Sequence, residues 1–136
     1  MANSLQWLAE NRVLYVRYFD EMTGEEINQL INETVPIIES GGKLVHIIVD
    51  YTANPTFELS LREIIESKEA SLQFQHPSIG WTVAISIGTW QYFYLLEYAT
   101  KTYLDAQMKT VKSIEDAVQF LHEQDASLPE FQVKTE

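Results

Sequence analysis

The sequence predicts an α/β domain built on a mixed, mostly parallel five-stranded sheet whose one antiparallel strand lies at an edge. Three observations carry that reading. Apolar runs of strand length alternate with segments of helical periodicity; the later connections are long enough for crossover helices; and only the first two strands are separated by a tight turn. At 136 residues and 46% hydrophobic content the chain has the size at which one core forms without staples.

Ser4 to Ala9 alternates around Leu5, Trp7 and Ala9, and Arg12 to Phe19 is a β-branched and aromatic run. With Glu10 and Asn11 as the turn between them, they predict an opening β-hairpin. Thr23-Gly24-Glu25-Glu26 has capping-box spacing, in which the hydroxyl takes the backbone N–H three residues on and Glu26 reaches back. The helix launched there buries Ile27, Leu30, Ile31, Thr34, Val35 and Ile38 and terminates at Gly41-Gly42. Pro36 interrupts the pattern and predicts a kink or an early stop near Asn32, whose carbonyl loses its donor.

Leu44 to Tyr51 is nearly continuously apolar, as a central strand with parallel neighbours requires. Asn54-Pro55-Thr56 breaks the chain. Ser60-Leu61-Arg62-Glu63 repeats the capping-box spacing and starts a helix through Leu61, Ile64, Ile65 and Lys68 towards Leu72. His76 to Gly80 reads as loop, Trp81 to Gly88 as the third long strand, and Thr89 as the cap of a helix reaching about Leu104. Met108 to Lys112 is a short strand, and Ser113-Ile114-Glu115-Asp116 caps a last helix ending near Glu123. Residues 1–123 form the domain, and 124–136 read as a polar, flexible tail.

The faces of the long strands differ. Val45, Ile47 and Val49 oppose Leu44, His46, Ile48 and Asp50, while Trp81, Val83, Ile85 and Ile87 oppose the smaller Thr82, Ala84, Ser86 and Gly88. That asymmetry predicts one fully buried face, a less covered second face, and helices chiefly on one side.

The totals exclude several classes. Without cysteine there is no disulfide, thiolate nucleophile or cysteine-held metal. Met1-Ala2-Asn3-Ser4 lacks the basic-then-apolar pattern of a leader, and nowhere do eighteen apolar residues run together, so a cytoplasmic chain is expected. Twenty acids against nine bases give a formal charge of −11, which repels polyanions and argues against nucleic acid. Its first consequence is solubility.

The order of elements, the Gly-Gly before Val45-His46-Ile47-Ile48-Val49-Asp50, the passage from His76-Pro77 through Gly80-Trp81, and the closing Ser-x-x-Asp helix together resemble the SpoIIAA-like family, relatives of STAS domains. The resemblance spans roughly residues 5 to 123. It implies a four-turn β/α superhelix with helices chiefly on one side of a mixed sheet, and a non-catalytic interaction or regulatory role. In STAS antagonists of anti-sigma factors, a serine at the start of the helix after the Asp-ending strand is phosphorylated and docks a kinase. Here that segment, Asp50 to Ser60, lacks the family's Asp-Ser-Ser-Gly. Thr52, Thr56 and Ser60 are the positions the resemblance implies for a regulatory loop, and Ser60 reads first as a helix cap.

No residue pattern names an enzyme or a cofactor. His46, His76 and His122 have no metal-ligand spacing, and His46 and Asp50 lie more than ~13 Å apart along one strand face, too far for a dyad. His46 reads instead as a solvated or satisfied imidazole. There is no Gly-rich phosphate loop and no Gly-x-Ser-x-Gly. Glu25-Glu26 and Glu63, Glu66 and Glu69 fall in a helix's first turn or on a solvated face.

One helix departs from simple amphipathicity. Between Thr89 and Leu104, Tyr92, Leu95, Leu96, Ala99 and Tyr103 make a complete inward stripe, yet Trp90, Tyr94 and Tyr98 recur at four-residue spacing elsewhere on the helix. Aromatic residues with a polar tip suit interfaces. Trp90, Tyr94 and Tyr98 are therefore the expected surface for a protein partner or a second copy. The alternative is a small hydrophobic ligand or lipid, as in Sec14-type relatives of the superfamily, with seven Tyr, six Phe and three Trp available to line a pocket.

Overall fold

The computed structural model describes residues 3–9, 12–18, 21–22, 24–40, 44–50, 56–57, 79–85, 95, 97–102 and 107–129. The predicted hairpin forms from β1 (Asn3–Ala9) and β2 (Val13–Tyr18), antiparallel and closed by an Arg12 N–H to Ala9 carbonyl bond of 2.9 Å. After the two-residue β3 (Glu21–Met22), helix α1 (Gly24–Ser40) leads to β4 (Val45–Asp50) and the two-residue β5 (Thr56–Phe57). Then come β6 (Ile79–Ile85), helical residues 97–102, β7 (Met108–Val111) and a closing helix, Ile114–Gln124. The main sheet runs β1-β2-β4-β6-β7, with every pair parallel except β1–β2, so the antiparallel strand is at an edge. The pairing of β3 with β5 was not legible in the sequence: two residues carry no periodicity.

Pro36 does not stop α1, which continues to Ser40. Pro36 and Asn32 are both exposed, so water reaches the turn that lost its donor, while Thr34 and Ile38 are buried and hold the helix to the sheet. Thr23, Gly41-Gly42 and the helix expected from Ser60 lie outside the described residues.

All six residues of β4 are buried, so the face expected to be less covered is covered as well. On one face Leu14, Val16, Val45, Ile47 and Val49 pack with Ile38 of α1. On the other, Val13, Ile48, Val83 and Ile85 pack with Ala117 and Leu121 of the closing helix and with Leu128. Each fully buried aliphatic side chain contributes about 1.5–3 kcal/mol. Residues 97–102 lie over the first face: Thr100 Oγ1 is 3.7 Å from Met108 Sδ, and the Thr110 N–H donates to Glu97 Oε2 at 3.2 Å. The Thr82–Ala84 side, small in its residues, is buried and not solvated.

The closing helix begins as its sequence dictates. Ser113 is extended, and its hydroxyl accepts the Asp116 N–H at 3.1 Å, with Glu115 and Asp116 in the first turn. Its end differs from expectation. Leu128 is buried in the core, and Asp125 and Ser127 are hydrogen-bonded, so the boundary drawn at residue 123 cuts through packed structure.

Candidate functional site

Among the described residues, a well-connected polar cluster lies at the N-terminal ends of β2, β4 and β6, and its origin is a register shift. Val45 pairs with Ile79 but Ile47 with Thr82, so β6 carries one extra residue opposite His46. Such a bulge releases a backbone group from the ladder. The Trp81 N–H takes another acceptor, His46 Nδ1, at 2.9 Å. Gly80 makes this approach feasible: a Cβ there would collide with the imidazole at both Cε1 and Nδ1.

Because Nδ1 accepts from Trp81, the ring proton sits on Nε2, which donates to Asp125 Oδ2 at 2.9 Å. Oδ2 also accepts from Arg12 Nη2 at 3.0 Å, and Oδ1 accepts from the Ser127 hydroxyl at 2.5 Å and the Ser127 N–H at 3.0 Å. Arg12 further donates to the Leu44 carbonyl at 3.2 Å and to Ser127 Oγ at 2.9 Å. The Ser127 hydroxyl, then the His46 ring, hold the Asp125 carboxyl well below the usual carboxylate range. The His46 side chain is 1% exposed, those of Arg12 and Asp125 14% and 16%. His122 ties the same segment down, its ring nitrogens 3.1 and 3.0 Å from the carbonyls of Val118 and Pro129.

This geometry does not assemble an acyl-transfer triad. There the imidazole stands between hydroxyl and carboxylate and takes the hydroxyl's proton. Here Asp125 stands between Ser127 and His46, and both ring nitrogens are already engaged. What the cluster does is join residues 12, 46 and 125–127 across the fold. It forms one wall of an open cleft of about 780 Å³, also lined by Leu44, Trp81, Gln107 and Gln124. Trp81 is fixed by an edge-on contact with Phe120, centroids 4.8 Å apart.

Asp50 finds its own partner, the Tyr15 hydroxyl, which donates to Oδ2. Burial first, then this hydrogen bond, push the Tyr15 phenol well above its ordinary pKa. His46 and Asp50 therefore serve separate contacts, as their spacing required. Among the described residues no group of three or more His, Asp or Glu could hold a metal ion, and no helix is long and apolar enough to cross a membrane.

Of the expected partner surface, Tyr98 is 70% exposed, whereas Trp90 and Tyr94 lie outside the described residues. Leu95, assigned to the inward stripe, is 59% exposed. Glu97 and Thr100 are tethered to β7, and Ala99 and Thr100 are buried. Leu95 and Tyr98, three residues apart, share the outward side. Of the expected regulatory loop, Thr56 falls in β5 beside Glu21, and Thr52 and Ser60 lie outside the described residues.

Sequence reasoning missed Arg12, Asp125 and Ser127. Two signals pointed to them: a glycine inside an apolar run, which marks a bulge or close approach, and Asp-x-Ser directly after a helix, which favours a side-chain-capped turn.

No protein-family model matches the chain. No curated protein matches it either. Among solved structures, it is similar to an uncharacterized protein of the DUF3478 family from Shewanella loihica PV-4, described as having a SpoIIAA-like fold. The two share 17% identity over 88% of this chain and 92% of that one, with a TM-score of 0.55. The fold of this chain is SpoIIAA-like.

Proposed function

We propose, from the SpoIIAA-like fold and the outward side of residues 95–102, that this chain is a non-catalytic interaction domain that docks another protein. The observation that carries the reading is the pair of large side chains, Leu95 and Tyr98, held in solvent while Ala99 and Thr100 beside them are buried. A helix that already has its buried side gains nothing for folding from a second apolar side. The chain's −11 charge favours a partner whose contact surface is basic around an apolar centre. In support of a non-catalytic role, each group in the polar cluster is engaged by another, and the hydroxyl and imidazole are kept apart by a carboxylate.

The test is affinity capture from the source cells with wild-type chain and with Leu95→Ser/Tyr98→Ser, followed by binding measurements on each purified captured protein. A partner that binds the wild type and loses about tenfold or more with the variant supports the reading. Partners that bind both equally refute it. Small-ligand binding is a second reading, favoured by the cleft beside Trp81. The lining sets Arg12, Gln107, Gln124 and Asp125 beside Leu44 and Trp81, so that reading takes a small amphipathic ligand with polar groups more readily than a lipid chain.

A further inference from the structure

The two edges of the main sheet are treated differently. At the β7 edge the Thr110 N–H is occupied by the Glu97 carboxylate, and Lys109 and Lys112 bring charge to the strand. Such devices stop a sheet from accepting a further strand. At the opposite edge β1 is seven residues long and reads Asn-Ser-Leu-Gln-Trp-Leu-Ala, with neither charge nor proline. Among the described residues β1 hydrogen-bonds to β2 alone. Its register irregularity falls after Trp7, which leaves residues 3–7 regular.

From this we infer that β1 pairs antiparallel with β1 of a second copy, joining two five-stranded sheets about a two-fold axis at Gln6. The sequence of the strand selects that occupant. An antiparallel pair sets residues of the same face opposite one another, so an axis at Gln6 places Leu5 opposite Trp7 of the second copy, within the regular part of the strand. At the axis Gln6 meets itself. Its side chain is exposed, and a carboxamide, with one donor end and one acceptor end, is complementary to its own image. A strand without charge also lets two copies of an acidic chain meet where like charge is least. This pairing is independent of the partner surface at Leu95 and Tyr98, which belongs to a different element.

The natural absence of cysteine gives a direct test. In the proposed register the two Gln6 Cα atoms lie about 4.5–5.5 Å apart, within the ~4.4–6.8 Å span of a disulfide. Oxidation of Gln6→Cys should yield a covalent dimer, and Thr102→Cys, also exposed but on the helix, should not. In light scattering the wild type should show twice the mass of one chain, and Gln6→Lys should shift it to monomer with at least a ~10-fold weaker association, its circular dichroism unchanged. That variant lowers the net negative charge, so relief of overall repulsion predicts the opposite result. A wild type that is monomeric at every concentration, cross-linking equal at both cysteines, or a dimer lost with Leu95→Ser/Tyr98→Ser but kept with Gln6→Lys overturns the proposal.

Discussion

Replacing Asp125 with alanine tests whether the cluster around His46 holds the chain's last described segment to the sheet. The carboxylate accepts four hydrogen bonds, from Arg12, His46, and the hydroxyl and N–H of Ser127. Their contributions differ because their exposures differ. The His46 side chain is 1% exposed, so leaving its Nε2–H without its acceptor costs about 1–3 kcal/mol. Arg12 keeps the Leu44 carbonyl and Ser127 and can be hydrated, so losing this ion pair costs about 0–1 kcal/mol. The turn at Ser127 adds about 0.5–1 kcal/mol. Urea unfolding at neutral pH should therefore show Asp125→Ala less stable by about 1.5–5 kcal/mol, with an unchanged dependence on denaturant. In a His46→Ala background the same substitution should cost about 1–3 kcal/mol less, since the stranded N–H is gone. The pH dependence has a definite sign. The Asp125 pKa is depressed in the folded state, so its stabilisation is complete above the unfolded value near ~3.9 and fades as pH falls from there through the folded value. The gap between wild type and Asp125→Ala should be flat above about pH 5 and narrow in stronger acid. A cost below about 1 kcal/mol, or no coupling to His46, would mean an ordinary surface ion pair and refute the argument.

Gly80→Ala should destabilise by about 1–3 kcal/mol, because the ring it meets is locked on both nitrogens; in the His46→Ala background most of that cost should disappear, as chemical denaturation of the double variant would reveal. Tyr15 should ionise late: its pKa is raised in the folded state, so its stabilising contribution is full below about pH 10 and is lost as pH rises through the folded value. Ultraviolet titration should show a late transition that Tyr15→Phe removes, and a titration indifferent to that substitution would count against the buried bond to Asp50. Ser113→Ala should cost about 1 kcal/mol through loss of the helix cap, visible as a lower urea midpoint.

Long elements were legible in the sequence because each repeats a local rule. The runs around Val45–Asp50 and Trp81–Ile85 are nearly continuously apolar, as interior strands are, and Ser113 to Asp116 spells a cap that the helix uses. The same logic fails where a contact spans the chain. Arg12, His46 and Asp125 are up to 113 positions apart, and no periodicity connects them. Face assignments failed for a related reason. Leu95 fits an inward stripe by spacing, but the rotation of the helix is fixed by Glu97 and Thr100 reaching β7, two polar contacts that hydrophobic counting ignores. Pro36 misled in the opposite direction, since local propensity foresaw a break and tertiary anchoring at Thr34 and Ile38 carried the helix past it.

The placement of stability and recognition follows from these contacts. A bulge at Gly80–Trp81 frees one N–H, His46 accepts a hydrogen bond from it, and Asp125 accepts one from the Nε2–H on the other side of the ring, so a local irregularity in β6 is tied to the end of the closing helix. Breaking that chain of bonds anywhere strands a buried group, which makes the cluster a poor place for a site that must change partners. Leu95 and Tyr98 carry no such obligation. Their side chains lie in solvent, and substitution there should leave stability within about 0.5 kcal/mol while altering any contact made with another molecule. Surfaces free to vary at so little cost to folding are where a small SpoIIAA-like domain can acquire specificity, with the buried cluster keeping the scaffold constant beneath them.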